Sequence, residues 1–259
     1  MCELLGINAG QVADVGPWLR RFQSRGSEAA NNPDGWGLAY VRDGGFRVYK
    51  SPTPGANSAL FSALCNVVRS SLVVGHVRHA NHPRVNSVEN THPFIRLCCG
   101  KEWVFAHNGL VSEIMNIPAM GLHPGCDPLG ETDSEYAFCY LLERIASRIE
   151  AGARSDGATQ VDGFASIVEL VATHGRFNFL ISDGTYLIAY GHDHLHYLDI
   201  RDSAIQAVVI ATVPLTTGKW SPFHCGELRI YRSGRLILSR QTRLGVVHNL
   251  ADARNARAL

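Results

Sequence analysis

The sequence is poor in charge. Only 18% of its 259 residues are Asp, Glu, Lys or Arg, and 24 basic against 23 acidic side chains leave a formal net charge of +1. That balance gives no electrostatic reason to expect nucleic acid or an anionic membrane as a partner. No apolar run approaches the roughly 20 residues needed to cross a bilayer. The opening MCELLGINAG lacks both a basic start and a long apolar stretch, so no secretory signal and a cytoplasmic location are expected. The seven cysteines (Cys2, Cys65, Cys98, Cys99, Cys126, Cys139 and Cys225) are odd in number, scattered, and without a C-x-x-C pair. A disulfide framework and a zinc–thiolate site are therefore not expected, and neither is any cofactor. No repeat or biased linker divides the chain.

What is present is apolar. Hydrophobic residues make up 46% of the sequence, enough for a large core, and the expectation is one domain over 2–259 with a frayed tail from about residue 240. Short apolar runs bounded by Gly, Pro and Asn predict strands near Glu3–Asn8, Gly35–Val41, Phe46–Lys50, Ser71–His79 and Trp103–Ala106. Further strands are predicted near Arg176–Ser182, Tyr186–Gly191, Leu195–Asp199, Gln206–Thr212, Glu227–Tyr231 and Arg235–Leu238. Helices are predicted near Asp14–Gln23, Ser58–Val68 and Phe164–Thr173, with the clearest one after Glu131. There Thr132 and Glu135 have the spacing of a capping box, and Phe138, Leu141, Leu142, Ile145 and Ile149 line one face. Strands and helices come in groups rather than in alternation, which points to α+β layers. Two loops stand out, the polar Ala80–Pro93 with its two histidines and the Pro- and Gly-rich Asn116–Gly130, and each reads equally as a functional loop or a plain surface connection.

Cys2 carries the first chemical suggestion. Removal of Met1 would leave a free α-amine and a thiol on one residue, with ordinary pKa values of roughly 7.7–8.0 and about 8.5. The amine can then act as base for its own thiol, the N-terminal form of an activated nucleophile. Such a nucleophile needs an oxyanion hole. Val104–Gly109 reads as an apolar strand ending in Asn-Gly, and the Asn108 amide and the Gly109 N–H are candidate donors, each worth about 3 kcal/mol. As an isolated dipeptide, Asn108-Gly109 reads better as a plain turn. A free amino acid substrate also needs a cation and an anion. Arg78, at the end of the strand Leu72–Val77, suits a carboxylate, and Asp133, in the first turn of the capped helix, suits an ammonium. The bland alternatives are a surface ion pair and helix-dipole complementation.

Taken in order, MCELLG, GHVRHANH, ENTHPF, AHNG and ETDSE resemble the class II glutamine amidotransferases, and DGWGLAY, RFNFLISDG and VVIATVPLT resemble their stand-alone YafJ-like branch. The resemblance runs from Cys2 to about Arg235. It implies a four-layer αββα sandwich of the N-terminal-nucleophile hydrolase type. By motif it implies Cys2 as nucleophile, Asn108 and Gly109 as oxyanion hole, and Arg78 and Asp133 as the groups that bind glutamine. His79 and Asn81 occupy positions where synthase-linked members carry Trp and Thr, and with His82 they are candidate substrate contacts. His92 is implied only as a supporting group. The implied reaction is hydrolysis of the glutamine γ-amide to glutamate and ammonia through a thioester, with a separate ammonia-accepting synthase as a possible partner.

Three other readings compete. One is a hydrolase of larger γ-glutamyl amides, as in the ergothioneine-pathway members. Another is a glutamine sensor without turnover. The third is a metal hydrolase, suggested by the crowding of His76, His79, His82, His92 and His107 and by the alternation of His192, His194 and His196. No H-E-x-x-H or carboxylate motif accompanies those histidines, so no metal is expected.

Overall fold

The computed structural model describes residues 1–80, 85–117, 126–150, 157–201 and 206–243. Asn81, His82 and most of the expected C-terminal tail lie outside them. Among the described residues two antiparallel sheets stack between helices. The first sheet contains β1 (Glu3–Asp14), β2 (Trp36–Arg42), β3 (Gly45–Ser51), β4 (Arg69–Val77), β9 (His196–Arg201), β10 (Gln206–Ala211) and β11 (Ser221–Pro222), in the order β11-β9-β10-β1-β4-β2-β3. The second contains β5 (Phe94–Cys98), β6 (Lys101–Leu110), β7 (Arg176–Ser182), β8 (Tyr186–Gly191), β12 (Glu227–Arg232) and β13 (Arg235–Gln241), in the order β13-β12-β8-β7-β6-β5. Helices α1 (Gly16–Arg25) and α2 (Ala59–Val67) cover the first sheet. Helices α3 (Asp133–Glu150) and α4 (Gly157–Ala172) cover the second.

The layering follows from strand alternation, because successive side chains point to opposite faces. Leu4, Val74, Val104, Ala106, Leu180 and Ile210 form the core between the sheets. The residues that alternate with them, such as Leu5, Val73 and Val77, pack outward on Leu19, Phe22 and Phe61 of the first helical layer. On the other side Phe105 stacks on Phe138 of α3 with ring centroids 5.1 Å apart. This is the expected αββα sandwich.

Local signals explain most boundaries. Ser58 caps α2 by accepting from Phe61 N at 3.2 Å, a contact worth about 1 kcal/mol. Half of the expected capping box forms on α3: Glu135 N donates to Thr132 Oγ1 at 3.3 Å. The Glu135 carboxylate does not return to Thr132. It accepts instead from Leu129 N and Gly130 N and pairs with Arg96, clamping the segment before the helix to β5. Several expected bounds need correction, among them the start of α4, which lies at Gly157 rather than Phe164. β1 runs on past Asn8 to Asp14, because after a register shift Ala13 and Asp14 pair with Ser70 and Arg69. The first helix therefore starts at Gly16 rather than Asp14, whose carboxylate holds Gly16 N at 2.9 Å. β5 and the two-residue β11 were not expected at all.

Candidate functional site

The two sheets place the candidate residues on facing surfaces. In β1–β4 pairing Leu4 faces His76 and Glu3 faces Val77. Leu4 belongs to the core between the sheets, so Cys2 and Arg78, two residues further along each strand, point toward the same interior. On the second sheet Val104 and Ala106 lie in that core, and Asn108 continues their face. Cys2, Arg78, Asn108, Gly109 and Asp133 line one cavity of about 550 Å3, counting its open mouth, with Met1, 43% exposed, at its edge.

Cys2 Sγ is held by main chain. His79 N donates to it at 3.2 Å, and it contacts His79 O at 3.3 Å. Burial pushes the thiol pKa up, opposed by the His79 N–H, the terminal ammonium and the Arg78 guanidinium. His79 does line the cavity, but its imidazole turns away and its Nδ1 meets Asn31 O at 2.8 Å. It is the His79 backbone that touches the sulfur.

Arg78 is only 8% exposed, and its Nη1 donates to Val85 O at 3.1 Å and Asn86 Oδ1 at 2.9 Å. Burial lowers its pKa, with Cys2 and Asp34 pulling the other way, yet an arginine stays charged. Asp34 organises this corner. Its Oδ2 accepts from Ala80 N at 2.8 Å and its Oδ1 from Asn86 Nδ2 at 3.3 Å, while Asp34 N and Gly35 O pair with the Arg78 backbone. The neighbouring Gly37 leaves no room for a side chain, since a Cβ there would meet His92 O at 2.0 Å.

Asn108-Gly109 is not a turn. β6 continues through it to Leu110, with Asn108 opposite Asn178 and Gly109 opposite Phe177 on β7. Glycine is required at 109 because a Cβ would lie 1.8 Å from Arg176 O. The Asn108 Nδ2 is buried without a hydrogen-bond partner. Such an orphaned donor costs about 1–3 kcal/mol and in a native fold calls for a reason. Its strand is braced by Asn178, whose Nδ2 donates to Asn108 O at 3.1 Å and whose Oδ1 accepts from His192, Asp193 and His194 N.

Asp133 is fixed by two main-chain donors, Val111 N at 2.6 Å on Oδ2 and Ser134 N at 2.8 Å on Oδ1. Ser134 Oγ also lies 3.3 Å from Oδ1, which leaves the second lone-pair direction of Oδ2 for a further donor. His107 lies on the opposite face of β6 from Asn108. Its Nε2 faces Arg176 O at 3.2 Å and its Nδ1 meets Ser134 Oγ at 2.8 Å, an arrangement that suits a neutral ring protonated on Nε2. Burial lowers its pKa, although Asp133 pulls it up. His92 lines the cavity and packs 4.3 Å from His76, both buried, with none of their four ring nitrogens in a hydrogen bond of normal geometry. Burial drives the pKa of His76 to about 3 and that of His92 well below 6.5.

Among the described residues, which do not include His82, the histidine patterns do not form the sites they suggested. His192 and His194 sit in the β8–β9 connection, and only His196 is in a strand, so the alternation is broken. His196 Nδ1 is bound to Thr212 O at 3.0 Å. Among the described residues no three His, Cys, Asp or Glu side chains are placed to hold a metal ion. No helix among them is long and apolar enough to cross a membrane. Asp34, Asn86, Ser134, Arg176 and Asn178 were not singled out as site residues from sequence. Asp34 alone had a signal, its place before the glycine pair Gly35 and Gly37.

Comparison with known proteins bears on the family and the fold. The family model of the class-II glutamine amidotransferases matches residues 1–205. YafJ of Escherichia coli K12, whose name provisionally assigns it as a glutamine amidotransferase, is 33% identical over 263 residues, covering 92% of this chain and 100% of YafJ. The γ-glutamyl-hercynylcysteine sulfoxide hydrolase of Mycobacterium tuberculosis is 30% identical over 201 residues, 73% of this chain and 76% of that one. The crystal structure of a predicted glutamine amidotransferase from Pseudomonas aeruginosa PA01 superposes with a TM-score of 0.66 at 28% identity, covering 92% of this chain and 100% of the other.

Proposed function

The chain belongs to the class-II glutamine amidotransferase family, and from that premise we propose that it is a glutaminase that uses Cys2 as its N-terminal nucleophile. The observation that carries this reading is the buried, unpartnered Nδ2 of Asn108 in the cavity that also holds Cys2. A donor kept without a partner is what an oxyanion hole requires in its resting state, because the acceptor exists only when charge develops on the substrate.

Each residue then has one task. Met1 is removed, and the Cys2 amine takes the thiol proton as sulfur adds to the γ-amide carbon. The burial-raised thiol pKa suits a resting state that is protonated and gives up its proton only during attack. Asn108 Nδ2 and the Gly109 N–H receive the oxyanion. Arg78 binds the α-carboxylate, and Asp133, fixed by Val111 and Ser134, accepts from the α-ammonium. The amine returns its proton to the departing ammonia. Water then cleaves the thioester, giving glutamate and restoring the thiol. Asn81 and His82, in the segment after Arg78, stay as candidate substrate contacts. Ammonia is the product that a separate synthase would consume.

Release of glutamate from glutamine tests this directly. Purified protein lacking Met1 should turn glutamine over, and Cys2→Ala should abolish the activity. Glutamine binding without turnover in the wild type would favour a sensor instead.

A further inference from the structure

Glutamine carries one carboxylate, and Arg78 answers it. The cavity has a second arginine that glutamine leaves without a task. Arg176 opens β7 opposite Leu110, which places it on the face of the second sheet that carries Asn108 and Asn178. Its carbonyl packs against Gly109, so it stands at the wall that carries the oxyanion donors. The Nε of Arg176 is buried without a hydrogen-bond partner. Its Nη1 lies 3.7 Å from Asp193 Oδ2, too far for a hydrogen bond. That carboxylate is already engaged, with Asn178 Nδ2 at 2.7 Å on Oδ1 and His194 Nδ1 at 3.0 Å on Oδ2. The guanidinium is thus held in place by charge while donor capacity stays unused, on a residue that lines the same cavity as Cys2.

Those donors suit an anion that arrives with the substrate. The carbon attacked by Cys2 sits against Asn108 and Gly109, and the leaving nitrogen is one bond from that carbon. A carboxylate on the carbon next to that nitrogen lies only a few bonds further out, along the same wall. We propose that Arg176 binds a carboxylate on the leaving amine, and that the substrate class is γ-glutamyl amides of amino acids. This rests on the Cys2 hydrolase reading, keeps its chemistry, and makes γ-glutamyl amino acids rather than glutamine the preferred substrate. Sulfur adds to the γ-carbonyl, the C–N bond breaks, and the amino acid leaves with the proton taken from the thiol. Water then cleaves the C–S bond. In sum, a γ-glutamyl amino acid and water give glutamate and an amino acid.

The test compares γ-glutamylglycine with γ-glutamylmethylamide, which lacks the second carboxylate. The wild type should favour γ-glutamylglycine, chiefly through KM, by about 10- to 100-fold, the range of one charge-assisted contact. Arg176→Gln should remove that preference, and Arg176→Lys should restore part of it. Calorimetric binding of the two compounds to Cys2→Ala protein should show the same ratio without turnover. A wild type that does not distinguish the two overturns the proposal. So does an Arg176→Gln variant that loses kcat equally on both, because Arg176 would then act only by bracing Asp193 and Asn178. If the wild type neither binds nor hydrolyses any γ-glutamyl compound, the hydrolase reading itself fails. Turnover without a carboxylate preference leaves that reading standing and removes only the role of Arg176.

Discussion

Mild acid should destabilise this fold well before its carboxylates titrate. His76 and His92 are buried against each other, and both are held neutral by burial, His76 with a pKa of about 3. Unfolding exposes them to water, where an imidazole titrates near 6.5. The sign follows directly. Below pH 6.5 the unfolded chain binds protons that the folded chain refuses, so stability is intact above that pH and falls as pH drops toward the folded value. Each pH unit in this window costs about 1.4 kcal/mol per histidine kept neutral. Between pH 6.5 and about pH 5, His76 withdraws about 2 kcal/mol, and His92 acts in the same direction. His107, also lowered by burial, acts in the same direction. Against a total stability of about 5–15 kcal/mol this is a large loss. Carboxylates do not obscure it. Asp183, where burial is outweighed by Lys101 and by the N–H donors of Tyr186 and Thr185, has its pKa lowered from 3.8 and gives up stability only in stronger acid. Urea denaturation at several pH values between 7 and 5 measures the slope, and His76→Gln should reduce it by about one proton. A stability that stays level over this range would refute the reasoning, because the folded protein would then be hydrating and protonating these rings.

Two substitutions separate chemistry from architecture. Asn108→Ala should leave the fold and KM nearly intact while lowering kcat by about 10²–10³, the usual cost of one oxyanion donor, and steady-state kinetics check this. Gly109→Ala should do more than slow the enzyme. Its methyl would press on Arg176 O, so β6 and β7 must part, and thermal unfolding should show a loss of several degrees, on the order of 2 kcal/mol or more, together with lost activity.

Much of the sandwich was legible because alternation and end signals are local. Arg176–Ser182 and Tyr186–Gly191 are strands at the expected bounds, since both are largely apolar runs that end at turn residues, the first interrupted by Asn178. β5 was missed because Phe94–Cys98 has an arginine inside it and exposes Leu97, so it lacks the pattern of a buried strand. Asn108-Gly109 has turn chemistry by composition, and only pairing with β7, some 70 residues later, keeps it extended. The hairpin turn lies instead at Cys99-Gly100, where both residues have positive φ, of 55° and 76°. The site divides in the same way. Cys2, Arg78 and Asp133 could be named because each residue type has a chemistry of its own. Asn178, Ser134 and Arg176 could not, because their roles exist only through partners far away in the chain.

The central claim is that Cys2, with its amine free, is the attacking group. Intact-mass measurement of the purified protein, with and without 6-diazo-5-oxo-norleucine, tests this most directly. The wild type should have lost Met1 and should gain one adduct, mapped to Cys2, with Cys2→Ala gaining none. A protein that retains Met1 and takes up no adduct would contradict the account.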